Sequence, residues 1–214
     1  MSRLCRLMVL FFLVICIDAS CMEKNEHPFL SDDMPIKWNT LLPEYIERDV
    51  NIAIDMAQAN IDAIASLPIE DVTFENTILA LERADKTLDR AWSYVGHLDS
   101  TCNSQEIRDV INKMLPKVAE FSANILLNDD LWLRIKTLSK SEEVKNLDGI
   151  EKKLLQDTVD GFRDSGADLP REQRERLKAI SIEASQLSQK FSENVLDSRN
   201  SWEKYINEDR KSVV

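Results

Sequence analysis

The chain has 214 residues, of which 43% are hydrophobic and 30% charged. This composition excludes a chain that is disordered over its whole length, and it is sufficient for one hydrophobic core. Its net charge of −11, with no cluster of lysine and arginine, argues against a nucleic-acid partner. Four glycines and six prolines are too few turn-forming residues for a protein of many strands. We therefore predict an all-α fold.

Residues 1–20 are typical of a signal peptide. Arg3 and Arg6 precede an apolar run, Leu7–Ile17, which is shorter than the roughly 20 apolar residues of a transmembrane helix. We therefore expect the protein to be exported, which includes periplasmic, secreted and membrane-anchored locations.

Cys21 would be the first mature residue after cleavage at Ser20, so lipidation of Cys21 is one hypothesis. Asp18 stands where a lipoprotein signal normally carries an aliphatic residue, so ordinary cleavage and an uncleaved anchor stay open. A lipid anchor at Cys21 would tether the protein to a membrane without spanning it. Cys21 and Cys102 are too few for a disulfide framework. They could pair if the mature end folded back, but their different settings, a terminal tail and a helix-end loop, favour two separate thiols.

The polar residues 21–39 are predicted to form a tether, followed by a folded domain over residues 40–207. Three apolar residues of the tether are expected to pack on the core: Phe29, Ile36 and Trp38.

The first helix is predicted to begin near Pro43 and to end at Leu67 and Pro68. A second is expected to start at Thr73, whose hydroxyl can cap free amides, and to continue to 100–103. The apolar residues at helical spacing in these two helices are Ile46, Val50, Ile54, Ala57, Ile61 and Ile64, then Phe74, Ile78, Leu81, Leu88, Trp92 and Val95.

A third helix is predicted after Ser104, with a kink at Pro116 rather than an end, because the apolar period continues past the proline. Short helices are expected over 129–138 and 149–163. The last helix is predicted from Pro170 to Tyr205, a rod of about 50 Å. Its apolar residues are expected to face the core: Leu177, Ile180, Ala184, Leu187, Phe191, Val195, Trp202 and Ile206.

Because no repeat of fixed period is present, the predicted architecture is an irregular antiparallel helical bundle with a long C-terminal helix. The sequence contains no recognisable catalytic or metal-binding motif. His27 and His97 are isolated, and a lone helical histidine is more often structural than a ligand. Trp92 and Trp202 could contact a peptide, but their apolar neighbours favour core positions. Two acidic pairs are interpreted as solvated rather than cation-binding: Asp32–Asp33 and Asp129–Asp130.

Several short motifs follow one another in an order that makes coincidence improbable. The most specific are Phe162-Arg163-Asp164-Ser165-Gly166, which runs into Leu169-Pro170, and Lys190-Phe191-Ser192-Glu193-Asn194-Val195-Leu196-Asp197, followed by Trp202. The others are Pro43-Glu44, Phe74-Glu75-Asn76-Thr77, Arg90-Ala91-Trp92-Ser93 with His97-Leu98, and Leu115-Pro116-Lys117. Over about residues 30–206 the sequence resembles the amino-terminal helical region of the oligopeptidase A and thimet oligopeptidase family of zinc metallopeptidases.

A structural interpretation is sufficient for the first of these motifs. Gly166 is predicted to end a helix in the left-handed conformation, and Pro170 to open the next helix.

The resemblance implies a helical domain that forms one wall of a channel admitting only short peptides. It also implies that the chemistry lies elsewhere, because the family binds zinc through an HExxH helix and a downstream glutamate, which this chain lacks. We therefore assign no catalytic residue, no metal ligand and no cofactor to this chain, and expect zinc in full-length relatives.

Three hypotheses follow. The favoured one is a truncated or partial product of an exported metallo-oligopeptidase, inactive alone, with residues 208–214 as a truncated tail. The second is a stand-alone module that binds peptides or docks on a peptidase, which predicts an exposed apolar groove. The third is an unrelated secreted structural protein. The expected partners are short peptides or a peptidase catalytic domain, and uncovered apolar surface predicts self-association.

Overall fold

A computed structural model describes residues 27–205, in which all regular structure is helical, and this confirms the predicted all-α fold. The expected signal peptide, Cys21 and the tail at 208–214 lie outside the described residues. No helix within 27–205 is long and apolar enough to cross a membrane. The α-helices are α1 (Pro43–Ala65), α2 (Ala80–Ala84), α3 (Lys86–Cys102), α4 (Gln105–Leu126), α5 (Asp129–Ser139), α6 (Gly149–Asp164) and α7 (Arg171–Ser201), and a π-helical segment, Glu75–Leu79, leads into α2.

Helix α1 is the central element of the bundle, because it contacts α2, α3, α4 and α5. Its apolar face is buried as predicted, and each buried isoleucine or valine contributes about 1.5–3 kcal/mol relative to an exposed one. The buried apolar residues of α1 are each at most 4% exposed: Ile46, Val50, Ala53, Ala57, Ile61 and Ile64.

Side-chain caps begin helices where the sequence predicts a start. Thr73 Oγ1 accepts a hydrogen bond from the Asn76 amide at 3.2 Å, and Ser104 Oγ accepts one from the Ile107 amide at 3.3 Å. Each cap is worth about 1 kcal/mol, because it satisfies an amide that the helix itself leaves free. Pro116 lies inside α4, and the helix continues past it as predicted.

The second predicted helix is interrupted. The sequence predicts one helix from Thr73 onward, whereas the structure breaks it at Asp85, between α2 and α3. At the end of α2, the carbonyl oxygen of Ala84 accepts a hydrogen bond from the side-chain amide of Asn60 at 2.8 Å. A residue of α1 therefore stabilises the break, and local periodicity does not reveal such a distant partner.

Gly166 ends α6 as predicted, with a φ of +89°. The amides of Gly166 and Ala167 donate to the carbonyl oxygens of Arg163 and Phe162, at 2.9 and 3.0 Å. This pair of hydrogen bonds closes a helix at a left-handed residue, a conformation that glycine adopts without the steric cost of a Cβ. The turn sets the direction in which the chain enters α7.

The segment before α1 packs on the bundle. Phe29 is fully buried, and Ile36 is half-buried against the core, as expected, whereas Trp38 is 40% exposed. Asp49 of α1 is fully buried and accepts a hydrogen bond from the Phe29 amide at 3.1 Å. His27 Nδ1 lies 2.9 Å from the other oxygen of this carboxylate. The buried carboxylate thus fixes the path of the segment against α1.

Candidate functional site

Helix α7 packs on the bundle chiefly through α4, and none of its residues is fully buried. It ends at Ser201, before the predicted Tyr205. The residues that face the bundle are half-buried, and most of them are polar. They recur at helical spacing: Arg174, Leu177, Lys178, Ile182, Ser185, Gln189, Glu193 and Leu196.

Two arginine–aspartate pairs attach the ends of α7. Near its C-terminal end, Arg108 of α4 donates two hydrogen bonds to Asp197, at 3.0 and 2.7 Å. Near its N-terminal end, Arg174 donates two to Asp129 of α5, at 2.6 and 2.9 Å. Hydrogen bonds from these guanidinium groups stabilise the ionised carboxylates, so the pKa values of Asp129 and Asp197 lie below their usual range. Directed polar contacts therefore hold α7 in place.

The other side of α7 carries a largely exposed apolar face. We call it the outer stripe, and define it as Ile180, Leu187, Phe191 and Val195, which are 46%, 60%, 69% and 43% exposed. Leu187 and Phe191 each lie two residues from Gln189, about 200° around the helix. The outer stripe is thus nearly opposite the surface that contacts α4.

The prediction that these residues face the core is wrong. Leu177 is half-buried, whereas the outer stripe and Ala184 are exposed, and Ile206 lies outside the described residues. Trp202, also predicted to be in the core, is 71% exposed. The physical reason is that periodicity identifies an apolar face without identifying the surface that covers it. In this structure, α4 contacts the more polar face of α7.

The predicted histidine and tryptophan positions form no catalytic group. His97 is exposed, and its ring lies 4.5 Å from the ring of Trp38. His27 contacts Asp49, as described above. Trp92 is half-buried against the core, which confirms its predicted structural position. Trp92 and His97 both lie on α3, whereas His27 precedes α1 and Trp202 follows α7.

No three histidine, cysteine or acidic side chains within residues 27–205 are placed to hold a metal ion. Members of both predicted acidic pairs contact cations of the protein instead. Asp33 pairs with Lys37 at 3.1 Å, Asp130 with Arg134 at 3.3 Å, and Asp129 with Arg174. The described residues therefore offer no set of donors that fits the zinc ion expected in full-length relatives.

Comparison with known proteins identifies the family to which this bundle belongs. The family model of the neurolysin/thimet oligopeptidase N-terminal domain matches residues 53–174, more than half of the chain. The matched range begins within α1 and ends within the first turn of α7.

Individual relatives show how much of a longer protein this region represents. Oligopeptidase A of Haemophilus influenzae is 32% identical over 169 residues, which are 79% of this chain and 24% of that protein. Oligopeptidase A of Escherichia coli is 28% identical over 172 residues, 80% of this chain and 25% of that protein. Dipeptidyl carboxypeptidase of Escherichia coli is 28% identical over 151 residues, 71% of this chain and 22% of that protein. The chain therefore spans about a quarter of the length of these relatives, and it belongs to the neurolysin/thimet oligopeptidase family, whose N-terminal domain it carries.

Proposed function

We propose that this chain supplies the N-terminal helical wall of an exported, oligopeptidase A-like zinc metalloendopeptidase that acts on short peptides. The observation that carries the proposal is the family match over residues 53–174. In this role the chain contributes the shape of a peptide channel, and the remaining three quarters of the protein contribute the chemistry.

The outer stripe supports this role. Soluble monomers rarely leave a continuous apolar surface uncovered unless another surface binds there. The polar contacts of Arg108 and Arg174 hold α7 on the bundle by one side and leave Leu187 and Phe191 free on the other. The rest of the peptidase is the surface we propose to cover them.

The chain is proposed to be inactive by itself. Zinc, where the family binds it, activates the water that attacks the peptide bond, and this requires several converging donor side chains. Residues 27–205 bring no such set together. The buried Asp49 is already engaged by His27 and by the Phe29 amide, so it serves the fold.

The purified chain, supplied with zinc and an internally quenched short peptide, tests the proposed inactivity. We expect no hydrolysis above the buffer blank. Hydrolysis that a chelator abolishes, and that persists after further purification, would overturn the proposal.

Intact mass and terminal peptide mapping of the native protein test the larger context. A longer protein with a peptide containing HExxH supports the peptidase, and a mature start near Cys21 supports export. Retention of residues 1–20 in a protein that stays inside the cell would contradict export.

The outer stripe also favours a second candidate, a stand-alone module that binds peptides or docks on a separate peptidase. A native mass that matches a chain from near Cys21 to Val214 would favour this candidate, because no catalytic region would then be attached.

A further inference from the structure

A cleft of about 450 Å³ lies between α1, α2, α4 and α6, apart from the outer stripe. Its volume is within the range of about 300–1,000 Å³ typical of small-molecule sites. The walls are mainly apolar; Ile61 and Phe162 are almost fully buried, and the apolar residues that keep accessible surface are Leu81, Ile125 and Leu126. An occupant would therefore bury an apolar body against these side chains.

Two carboxylates, Glu82 and Asp85, line the same cleft. Within residues 27–205, neither forms an ion pair, in contrast to Asp129 and Asp197. The other polar groups are engaged by their own helices. Ser122 Oγ donates to the carbonyl oxygen of Val118 at 3.1 Å, and Thr158 Oγ1 donates to that of Leu154 at 2.8 Å. Among the described residues that line the cleft, the two carboxylates are therefore the charged groups left without a cation.

Asp85 is half-buried at the break between α2 and α3. Burial removes water from the carboxylate and raises its pKa; a hydrogen bond from the backbone of Asp85 opposes this shift in part, and the nearby Asp89 adds to it. A partly buried charge without a cation is unfavourable, and a bound cation would relieve it.

We propose that this cleft binds a small organic cation with an apolar body, such as an amidinium or ammonium group on an aromatic or aliphatic residue. The cationic group lies against Asp85 and Glu82, and the body packs on Leu81, Ile125 and Leu126. Anions are excluded by the two carboxylates. The inference does not depend on the proposed peptidase function, since it rests on the composition of the cleft alone.

Benzamidine and benzamide are matched probes, because they share size and shape but differ in charge. The full chain is titrated with each, and binding is followed by the amide chemical shifts of Asp85 and Gly161. We expect saturable binding of benzamidine, with benzamide at least about tenfold weaker, the equivalent of one charge-assisted hydrogen bond. Equal binding of the two probes, or no saturation by benzamidine up to about 10 mM, would overturn the proposal.

Two variants locate the site. Asp85→Asn is expected to weaken benzamidine at least about tenfold, while Asp55→Asn, an exposed carboxylate on α1 outside the cleft, leaves it unchanged. Gly161→Leu is expected to block binding by filling the cleft, because a Cβ at Gly161 meets no atom within 4 Å. Unchanged binding in both cleft variants, with their folds intact by circular dichroism, would contradict the assignment.

Discussion

Helices α1 and α7 carry apolar residues at the same helical spacing, but α1 buries them and α7 exposes them. Ile46 and Val50 of α1 are 0% exposed, whereas Leu187 and Phe191 of α7 are 60% and 69% exposed. The two helices also differ in what holds them. Apolar packing fixes α1 in the core, and α7 is attached by arginine–aspartate pairs and by half-buried polar side chains.

This difference shows that an apolar helical face indicates that the face must be buried, but does not identify the surface that buries it. In α1 the partners are the neighbouring helices of the same bundle. In α7 the described residues leave the face open, and the partner proposed above is the rest of a longer peptidase.

Removing an apolar side chain from each helix gives the largest expected contrast. Ile46→Ala should reduce the free energy of unfolding by about 2–5 kcal/mol, because it leaves a cavity in a packed core. Phe191→Ala should change it by no more than about 0.5 kcal/mol, because the side chain is already exposed. Urea denaturation of the full chain measures both values.

The dependence of unfolding on urea should keep the same slope in both variants, so that midpoints are comparable. A loss of several kcal/mol in Phe191→Ala would show that the outer stripe is buried in the isolated chain. The apolar faces of α1 and α7 would then both be buried, and the two helices would not differ in this respect.

Much of the fold could be predicted because its signals are local. Thr73 and Ser104 cap helices through their own side chains, and the turn at Gly166 closes α6 through backbone hydrogen bonds between residues three and five positions apart. The predicted helices at 129–138 and 149–163 agree with α5 and α6 to within one residue. Such features need no knowledge of distant contacts.

The features that sequence reasoning missed depend on distant residues. The break at Asp85 is supported by Asn60, and the orientation of α7 is set by contacts from Arg108 and by Asp129. The cleft at Glu82 joins residues from four helices. Its only local signal was a pair of carboxylates three residues apart, which is common on solvated helices.

Replacing the outer stripe tests its capacity to bind a second surface. We predict that the full chain self-associates at high concentration, and that Leu187→Gln with Phe191→Gln weakens association about ten- to a hundredfold. Burying these side chains in an interface would contribute a few kcal/mol, which the polar variants lose. Sedimentation velocity over a concentration series measures the association.

Ile150→Gln is the matched control, since Ile150 on α6 is 82% exposed but lies outside the outer stripe. It should associate like the wild-type chain. A wild-type chain that is monomeric at every concentration, or an equal effect of Ile150→Gln, would show that the outer stripe does not drive association.

Gly166→Ala tests how strongly the turn before α7 determines its direction. A side chain at a φ of +89° costs about 1–2 kcal/mol. An added Cβ would also lie 2.8 Å from side-chain carbons of Leu169 and Leu177. We expect this loss in the free energy of unfolding, measured by urea denaturation.

Gly96→Ala is the control, and we expect it to increase the free energy of unfolding rather than to reduce it. Gly96 lies inside α3, and a Cβ there meets no atom within 4 Å. Alanine is the better helix former, so we expect a gain of up to about 1 kcal/mol. Equal effects of the two substitutions would argue against a special conformation at Gly166.

Acid should release α7 before it affects α1, because α7 is held by ionised carboxylates. The pKa of Asp129 is lowered in the folded protein, so its contribution is present above the usual aspartate pKa and is lost as the pH falls below about 4. Asp129 is 73% exposed, and screening by water keeps this contribution below about 1 kcal/mol. Hydrogen exchange, corrected for the intrinsic rate at each pH, should lose protection in α7 between about pH 4 and pH 2 while α1 stays protected. Asp129→Asn should remove part of this pH dependence, whereas the control Asp55→Asn on α1 should leave it unchanged. If α1 and α7 lost protection equally as the pH fell, α7 would unfold only together with the whole bundle.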